Sequence, residues 1–424
     1  MTKKLILFFF ILLGLSAVGQ QRDTLKLTIT KIEKSIKTDT VYYFSSRVDT
    51  IAMQAVNTDT SKMVKDINLQ DLEESKYKIK FMGSARVNSF YDFAGMKSTE
   101  GFLPYEIPVG AADIPGLSSV YIGARQSRIA VEGNANTKVG KIKTYIEVDF
   151  ASANQSYLRL RHAYGEWNFW KLGYTWSTFM DNASLPQTVE FEGPNSSLNK
   201  RQGLVRYERK LKNQNILGVS IESPIADYYN PADTLISNAS KQRNLDLVSR
   251  YKYFNKWGHV QLAGILRRID FLQQDQMQVK YGYGILLSST VNISLKHKIN
   301  AQFSMGKGIA YYYVGFTNRQ LDAVYNPNTN SMILKSISGG FINYSYRYNP
   351  SWIFSVIAGT SKIKEEDFEP ADTFLSSHYF GANIFYNPIE TISLGIEVTN
   401  GSRQNLNEQK GDATRISLLA QFDF

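Results

Sequence analysis

The side chains with chemistry to offer are cations and carboxylates on segments that alternate. In 140–153, Lys141, Lys143, Glu147 and Asp149 share one face, and Ile142, Thr144, Ile146, Val148 and Phe150 share the other. In 155–166, Arg159 and Arg161 point away from Leu158, Leu160 and Tyr164. A period of two belongs to a strand, so each segment has a charged face and an oily one. Arg128 and Glu132 share a face within 119–134, and Arg206 stands further along. Arg125 has the opposite parity, which implies either a bulge or a place near a rim. Guanidinium groups held in a wall grip carboxylates in bidentate fashion. The same arginines could equally pair with Glu147 and Asp149 as structural bridges. The sequence leaves both readings open.

Acidic counterparts lie on one long connection. Phe179 to Lys200 carries Asp181, Glu190 and Glu192, with Pro186 and Pro194 as stiffeners. Where strands enclose a lumen, charge rings and a constriction set selectivity. The 179–200 loop is expected to fold inward and narrow that lumen, facing Arg128, Lys143, Arg159, Arg161 and Arg206. Its acids would keep an anion weakly enough bound to leave.

Catalysis finds little support. His162, His259, His297 and His378 are far apart, and neither H-E-x-x-H nor G-x-S-x-G occurs. His162 shares the parity of Leu158 and Leu160, which suits an interfacial belt. A lipid hydrolase would need Ser and His to meet on a barrel's outer wall, which the sequence does not decide. Gly282-Tyr283-Gly284 lacks the third glycine of a phosphate loop. Cys is absent, which removes disulfides, thiolate metal sites and Cys nucleophiles. No enzyme activity, metal or cofactor is expected.

The elements that must position these residues are strands. Alternation marks 77–94, 119–134, 140–153, 155–166, 169–178, 201–211, 215–224, 243–254, 258–272, 277–292, 297–312, 332–349, 352–363, 374–387, 390–399 and 413–424. About sixteen is an even count in the porin range. Short turns are expected at 136–139, 213–214, 255–257, 349–351 and 387–388, where Asn and Pro recur. Long connections are expected at 95–118, 179–200, 225–242, 313–331, 364–373 and 400–412. Short on one side and long on the other is the asymmetry of a transmembrane barrel. A β-sandwich gives no reason for it.

Both termini fit that class. Lys3 and Lys4 precede an apolar run from Leu5 to Leu15, and Ala17-Val18-Gly19 supplies small residues at a cleavage position. This reads as a secretory signal peptide over 1–19, too short to span a bilayer. The stretch 20–76 reads as a periplasmic extension, partly disordered or weakly helical, and 77–424 as the barrel. Ile416, Leu418, Ala420, Phe422 and Phe424 share one face of the last strand. A strand ending on an aromatic resembles the closing strand of a bacterial outer-membrane barrel.

Composition narrows the partners. Aromatics make up 13% of the chain, yet mean hydropathy is negative. One oily face per strand with aromatic belts explains both. Net charge is +10, or +8 without Lys3 and Lys4. In an outer-membrane protein this points to small anionic solutes in the lumen, or to lipid and lipopolysaccharide outside. No basic block supports nucleic-acid binding.

A denser pattern runs from Arg125 to Tyr207. It contains Arg125-Gln126-Ser127-Arg128, then Lys143-Thr144-Tyr145-Ile146-Glu147-Val148-Asp149-Phe150, then Leu158-Arg159-Leu160-Arg161-His162-Ala163-Tyr164. Gly173-Tyr174-Thr175-Trp176-Ser177-Thr178-Phe179-Met180-Asp181, Phe191-Glu192-Gly193-Pro194, Arg201-Gln202 and Arg206-Tyr207 follow. This series resembles the DcaP-like family of trimeric porins. The resemblance implies a sixteen-stranded barrel, a homotrimer and passive uptake of small, often anionic, organic solutes. It also implies an N-terminal periplasmic coiled coil, for which 22–76 lacks clear heptads. The rival readings are a phosphate-type channel, which needs a Lys or Arg ladder, and a structural or adhesive barrel with no transport role.

Overall fold

The computed structural model describes residues 77–96, 101–110, 118–151, 157–229, 242–273 and 276–424. The expected signal peptide and the extension with its coiled-coil question lie outside the described residues. The chain divides into compact units Met1–Lys78 and Ile79–Phe424. Of the first, only Tyr77 and Lys78 are described, as the start of a strand.

The second unit is one antiparallel sheet closed on itself. Seventeen strands are assigned to it, and Ser119–Gly123 and Arg128–Thr137 are two halves of one, so the barrel has sixteen. Each strand pairs with its neighbours in sequence, and Tyr77–Asp92 pairs with Lys410–Asp423 to shut the ring. Closure leaves no edge, which a bilayer demands because it offers backbone groups no partner. The seam ends where Gly83 and Phe424 exchange two backbone hydrogen bonds of 3.0 Å.

Alternation sorts the side chains. Ile146, Leu160, Leu172, Val219, Leu262, Ile285, Phe303, Ile342, Val356, Ile396 and Leu418 are all exposed on the outer face. Aromatic pairs lie beside the short turns: Trp352 with Tyr386 at 4.6 Å and Trp170 with Tyr207 at 5.2 Å. Such belts sit at the membrane interface. A charge on the oily face at mid-depth would cost about 2–4 kcal/mol. Lys143, Arg159 and Arg161 avoid it by pairing with acids on the inner face.

Two irregularities change the faces expected from strict alternation. Between 140–149 and 159–167 the register shifts: Glu147 opposes His162, and Val148 opposes Leu160. Arg161 is therefore the extra residue of a β-bulge. Beyond it parity inverts, so His162 and Tyr164 leave the oily face. His162 is buried, with Nδ1 2.9 Å from Thr175 Oγ1, and the Tyr164 ring lies 5.5 Å from Tyr145. The interfacial belt expected for His162 is thus wrong. Second, residues 124–127 interrupt a strand. Ser127 N–H donates to the Ala124 carbonyl, and Phe150 N–H donates to the Arg125 carbonyl, both at 3.0 Å. That break explains the odd parity of Arg125.

Other boundaries move as well. Asn387 and Pro388 stay within Phe374–Ile389, whose register shifts between Tyr386 and Ile389. Proline is tolerated there because no ladder hydrogen bond is asked of it. The connection expected at 400–412 is mostly strand, since Ile392–Asn405 and Lys410–Asp423 pair across it. Expected strand 332–349 breaks at Lys335. Ser331–Leu334 pairs with Ala323–Asn326 as a separate hairpin, and Ser336–Arg347 joins the barrel.

A Cβ at Gly83 would lie 2.6 Å from the Arg128 carbonyl oxygen and 2.5 Å from the Phe424 ring. Gly83→Val is expected to weaken the seam by about 1–3 kcal/mol, as overpacking does. Its heat-modifiable shift on gel electrophoresis should then occur at a lower temperature than in the parent.

Candidate functional site

The inner wall is covered unevenly. The stretch 177–200 crosses to the far side of the barrel. Val189 N–H donates to Glu397 Oε2 at 2.9 Å, Asn195 Nδ2 to Ser361 Oγ at 3.0 Å, and Ser196 Oγ to the Gly340 carbonyl at 2.9 Å. A second connection joins it: Asn199 N–H donates to the Tyr312 carbonyl at 3.2 Å, and the Phe179 and Tyr312 rings meet edge to face at 5.6 Å. Phe179, Leu198, Tyr312, Tyr313 and Phe316 are buried against inward residues Val248, Ile265, Leu286, Ile337 and Ile363. The strands from 246 onward therefore have a filled inner face. Partly open charged side chains remain on the strands between 128 and 210, where Arg128 is 36% exposed, Arg159 35% and Lys143 34%.

That open sector holds the guanidinium cluster. Arg159 grips Asp149 with both arms, Nε to Oδ1 at 2.9 Å and Nη2 to Oδ2 at 2.7 Å. Arg161 is buried and reaches Glu147 at 2.6 Å and Asp149 at 2.7 Å. Arg128 approaches Glu147 at 4.0 Å. Arg86 lies within electrostatic range of Arg128 and Arg161. Three guanidinium groups thus share two strand carboxylates, while the acids in range of Arg86 are Glu190 and Glu397. Buried ion pairs of this kind add little net stability, but they hold side chains in place.

The remaining predicted residues do not all join this cluster. Lys143 pairs with Glu132 at 2.7 Å, nearer the short turns. Arg206 is buried and donates from Nε to Thr178 Oγ1 at 2.7 Å and from Nη2 to the Trp176 carbonyl. It anchors the root of the long connection. Its charged neighbours are Arg250, Glu222, Glu208 and Glu166. Lys171–Glu166 and Arg250–Glu208 make that lower region an alternation of both signs.

The loop acids have separate duties. Asp181 turns away from the arginines, accepting from Lys252 Nζ at 2.6 Å and Ser288 Oγ at 2.9 Å and bonding His259 Nε2 at 2.6 Å. Burial alone would raise its pKa, but His259 and Lys252 hold it well below the usual carboxylate range. Glu190 accepts backbone N–H from Phe102 at 2.6 Å and Glu192 at 3.0 Å, and also from Gly193. Burial pushes its pKa up to about 8. The backbone donor of Glu192 opposes this, and the carboxylates of Glu192 and Glu397 add to it. Glu192 is half-buried and lies within electrostatic range of Arg159, Arg201 and Lys200. Among the loop acids, Glu192 is the one in range of Arg159 and Arg161, while Glu190 lies in range of Arg86. The neighbouring Phe191 ring lies 5.7 Å from the Arg159 guanidinium.

Sequence reading missed several residues. Arg86 holds the loop through Nη2 to the Val189 carbonyl at 2.8 Å. Alternation in 77–92 would have found it, since Val87, Tyr91 and Phe93 are exposed outward. Lys200, over the Tyr311 ring at 3.8 Å, has its pKa pushed down to about 8 by burial. Lys252 and His259 carry no local signal, because their partner Asp181 lies 71 and 78 residues away.

Comparison with known proteins follows from this geometry. The profile of the DcaP outer membrane protein family matches residues 30–424. The structure of the outer membrane channel DcaP of Acinetobacter baumannii superposes with a TM-score of 0.71 at 23% identity, covering 83% of this chain and 98% of that one. An anion-selective porin from Comamonas acidovorans gives 0.55 at 12%, covering 82% and 100%. OmpT of Vibrio cholerae in its trimer form gives 0.51 at 10%, covering 82% and 99%. At these identities the likeness concerns the fold. No curated protein matches the chain.

Two outcomes test the loop's attachment. Asp181→Asn leaves Lys252 buried without its counter-charge, which costs about 3–5 kcal/mol. Limited trypsinolysis at Lys200 and Arg201 is expected to speed up, with the barrel still heat-modifiable. The second concerns Glu190, whose pKa is raised above an unfolded value of about 4.3. Its proton favours the packed loop fully below that value, and the gain is lost as pH rises through about 8. Nicking should therefore increase between roughly pH 7 and pH 9 and flatten in Glu190→Gln.

Proposed function

The chain belongs to the DcaP outer membrane protein family, and from that premise we propose that this outer-membrane porin passes small organic anions by passive diffusion. The observation that carries the reading is the imbalance in the open sector. Arg128, Arg159 and Arg161 stand there against Glu147 and Asp149, with Arg86 in electrostatic range of Arg128 and Arg161. An entering carboxylate exchanges water for guanidinium donors that are already oriented, so little ordering remains to be done. Existing pairs with Glu147 and Asp149 keep the grip partial. A permeant ion must bind well enough to enter and weakly enough to leave.

In this reading Arg128 and Arg159 touch the solute, and Arg161 positions Asp149 and Glu147. Lys143 with Glu132 and Lys171 with Glu166 form a second station of mixed sign. The 179–200 loop is the constriction, with Glu192 as the acid facing the cations. Asp181 and Glu190 hold the loop in place, and Arg206 holds its root. The name of the Comamonas porin, anion-selective, agrees in sense. Assembly as a homotrimer is proposed with it, in line with the trimer form of OmpT.

Planar-bilayer recording of the full chain in a potassium chloride gradient tests this. The reversal potential should report anion preference, and three equal conductance steps should appear per insertion. Arg128→Gln with Arg159→Gln should reduce the anion-to-cation permeability ratio several-fold, because both side chains are about one-third exposed. Glu132→Gln with Glu166→Gln should raise it. Cation preference in the parent would refute the anionic reading. Folded protein with no conductance would favour a structural or adhesive barrel.

A further inference from the structure

At the long-loop end, away from the arginine sector, lies a cavity of about 370 Å³. Small-molecule sites run from about 300 to 1,000 Å³ and combine apolar faces with a few convergent polar groups. Four separate pieces of chain build this one: Tyr229, the segment leading from Arg319 to Leu321, the hairpin Ala323–Asn326 with Ser331–Leu334, and the connection at Phe368 and Glu369. None of the four belongs to the barrel wall. The hairpin is a sheet of its own, so it is not needed to close the ring.

The cavity is held open by bonds made elsewhere. Gln320 has φ +60°, which an L side chain seldom adopts, and so has Asn318. Asp227 fixes this strained turn by accepting N–H from Arg319 at 2.9 Å and from Gln320 at 3.1 Å. Strain maintained by surrounding bonds clusters at ligand sites. The hairpin tip is tied in turn by Asn326 Oδ1, which accepts N–H from Asn328 at 2.9 Å, and by Tyr325 Oη donating to Asn330 Oδ1 at 2.7 Å.

The lining selects the chemistry of the occupant. Tyr325 and Phe368 present aromatic surface. Lys335 and Glu369 are almost fully buried and paired with each other. Arg319 pairs with Glu106. Both cations are thus already neutralised, so a free anion gains little by entering. Donors and acceptors nonetheless stand side by side, at Lys335 with Glu369 and on Gln320. We propose that this cavity is a binding site for a neutral saccharide, with a pyranose face on Phe368 or Tyr325 and adjacent hydroxyls shared between the Lys335–Glu369 pair and Gln320. The source is either a free sugar or the glycan of a surface polysaccharide, since the chemistry recognised is the same. The site is independent of the lumen's ion preference, and the two readings fail separately.

Calorimetric titration of the full chain in an amine-oxide detergent, which has no sugar head group, tests the proposal. The probes are maltose, N-acetylglucosamine, the core oligosaccharide released from lipopolysaccharide, and benzoate. Saturable binding of at least one saccharide is expected, tighter than benzoate. Binding of maltose or N-acetylglucosamine identifies a free-sugar site, and binding of the core oligosaccharide alone identifies a glycan site. Phe368→Ala should weaken affinity about tenfold, a stacking loss in the range of aromatic contacts. Gln320→Gly removes the side chain and relieves the backbone, so affinity should fall while heat-modifiable stability holds or rises. Absence of saccharide binding, tighter binding of benzoate, or unchanged affinity in both variants would overturn the assignment.

Discussion

A bilayer supplies no hydrogen-bond partner to the backbone, and that constraint orders the whole molecule. Sixteen strands satisfy one another, and the ring closes where Tyr77–Asp92 meets Lys410–Asp423. Once closed, every strand has one wet face and one oily face. The cost of a charge in the oil, about 2–4 kcal/mol, then decides where arginine stands. Arg159 and Arg161 point inward because the alternative is expensive, and Asp149 and Glu147 meet them there.

The lumen is less uniform than closure alone requires. Long connections fill one side with aromatic and aliphatic side chains, among them Phe179, Tyr312, Tyr313 and Phe316. This apolar mass behaves like the core of a soluble domain, and it displaces water from half of the inner wall. The charged side is left open by default. Polar anchors then determine how firmly the fill is held. Asp181 with Lys252 and His259 secures the beginning of the long connection, and Glu190 and Glu397 secure its middle. The middle anchor depends on protonation and the first does not share that weakness, because its carboxylate is matched by a cation.

One inserted residue has effects out of proportion to its size. Without the bulge at Arg161, His162 and Tyr164 would face lipid. With it, two consecutive residues, Arg161 and His162, turn inward, and the His162 ring packs 5.4 Å from Trp176. The bulge thus packs more polar groups into the open sector than alternation permits.

Strand existence was legible because membrane burial imposes a strict period of two, and residues such as Ile142, Thr144, Ile146 and Val148 obey it without help from distant chain. The inward aim of Lys143, Arg159 and Arg161 followed from the same rule, since only one face tolerates charge. What alternation cannot encode is a single-residue offset, and so the faces of His162 and Tyr164 awaited the register of the partner strand. Nor does local pattern reveal which residues a loop will meet after it crosses the barrel. Asp181 finds Lys252 and His259, and Val189 finds Glu397, only because closure brings segments 71 to 208 residues apart in sequence together in one narrow space. Local periodicity determined the wall; three-dimensional proximity decided what fills it.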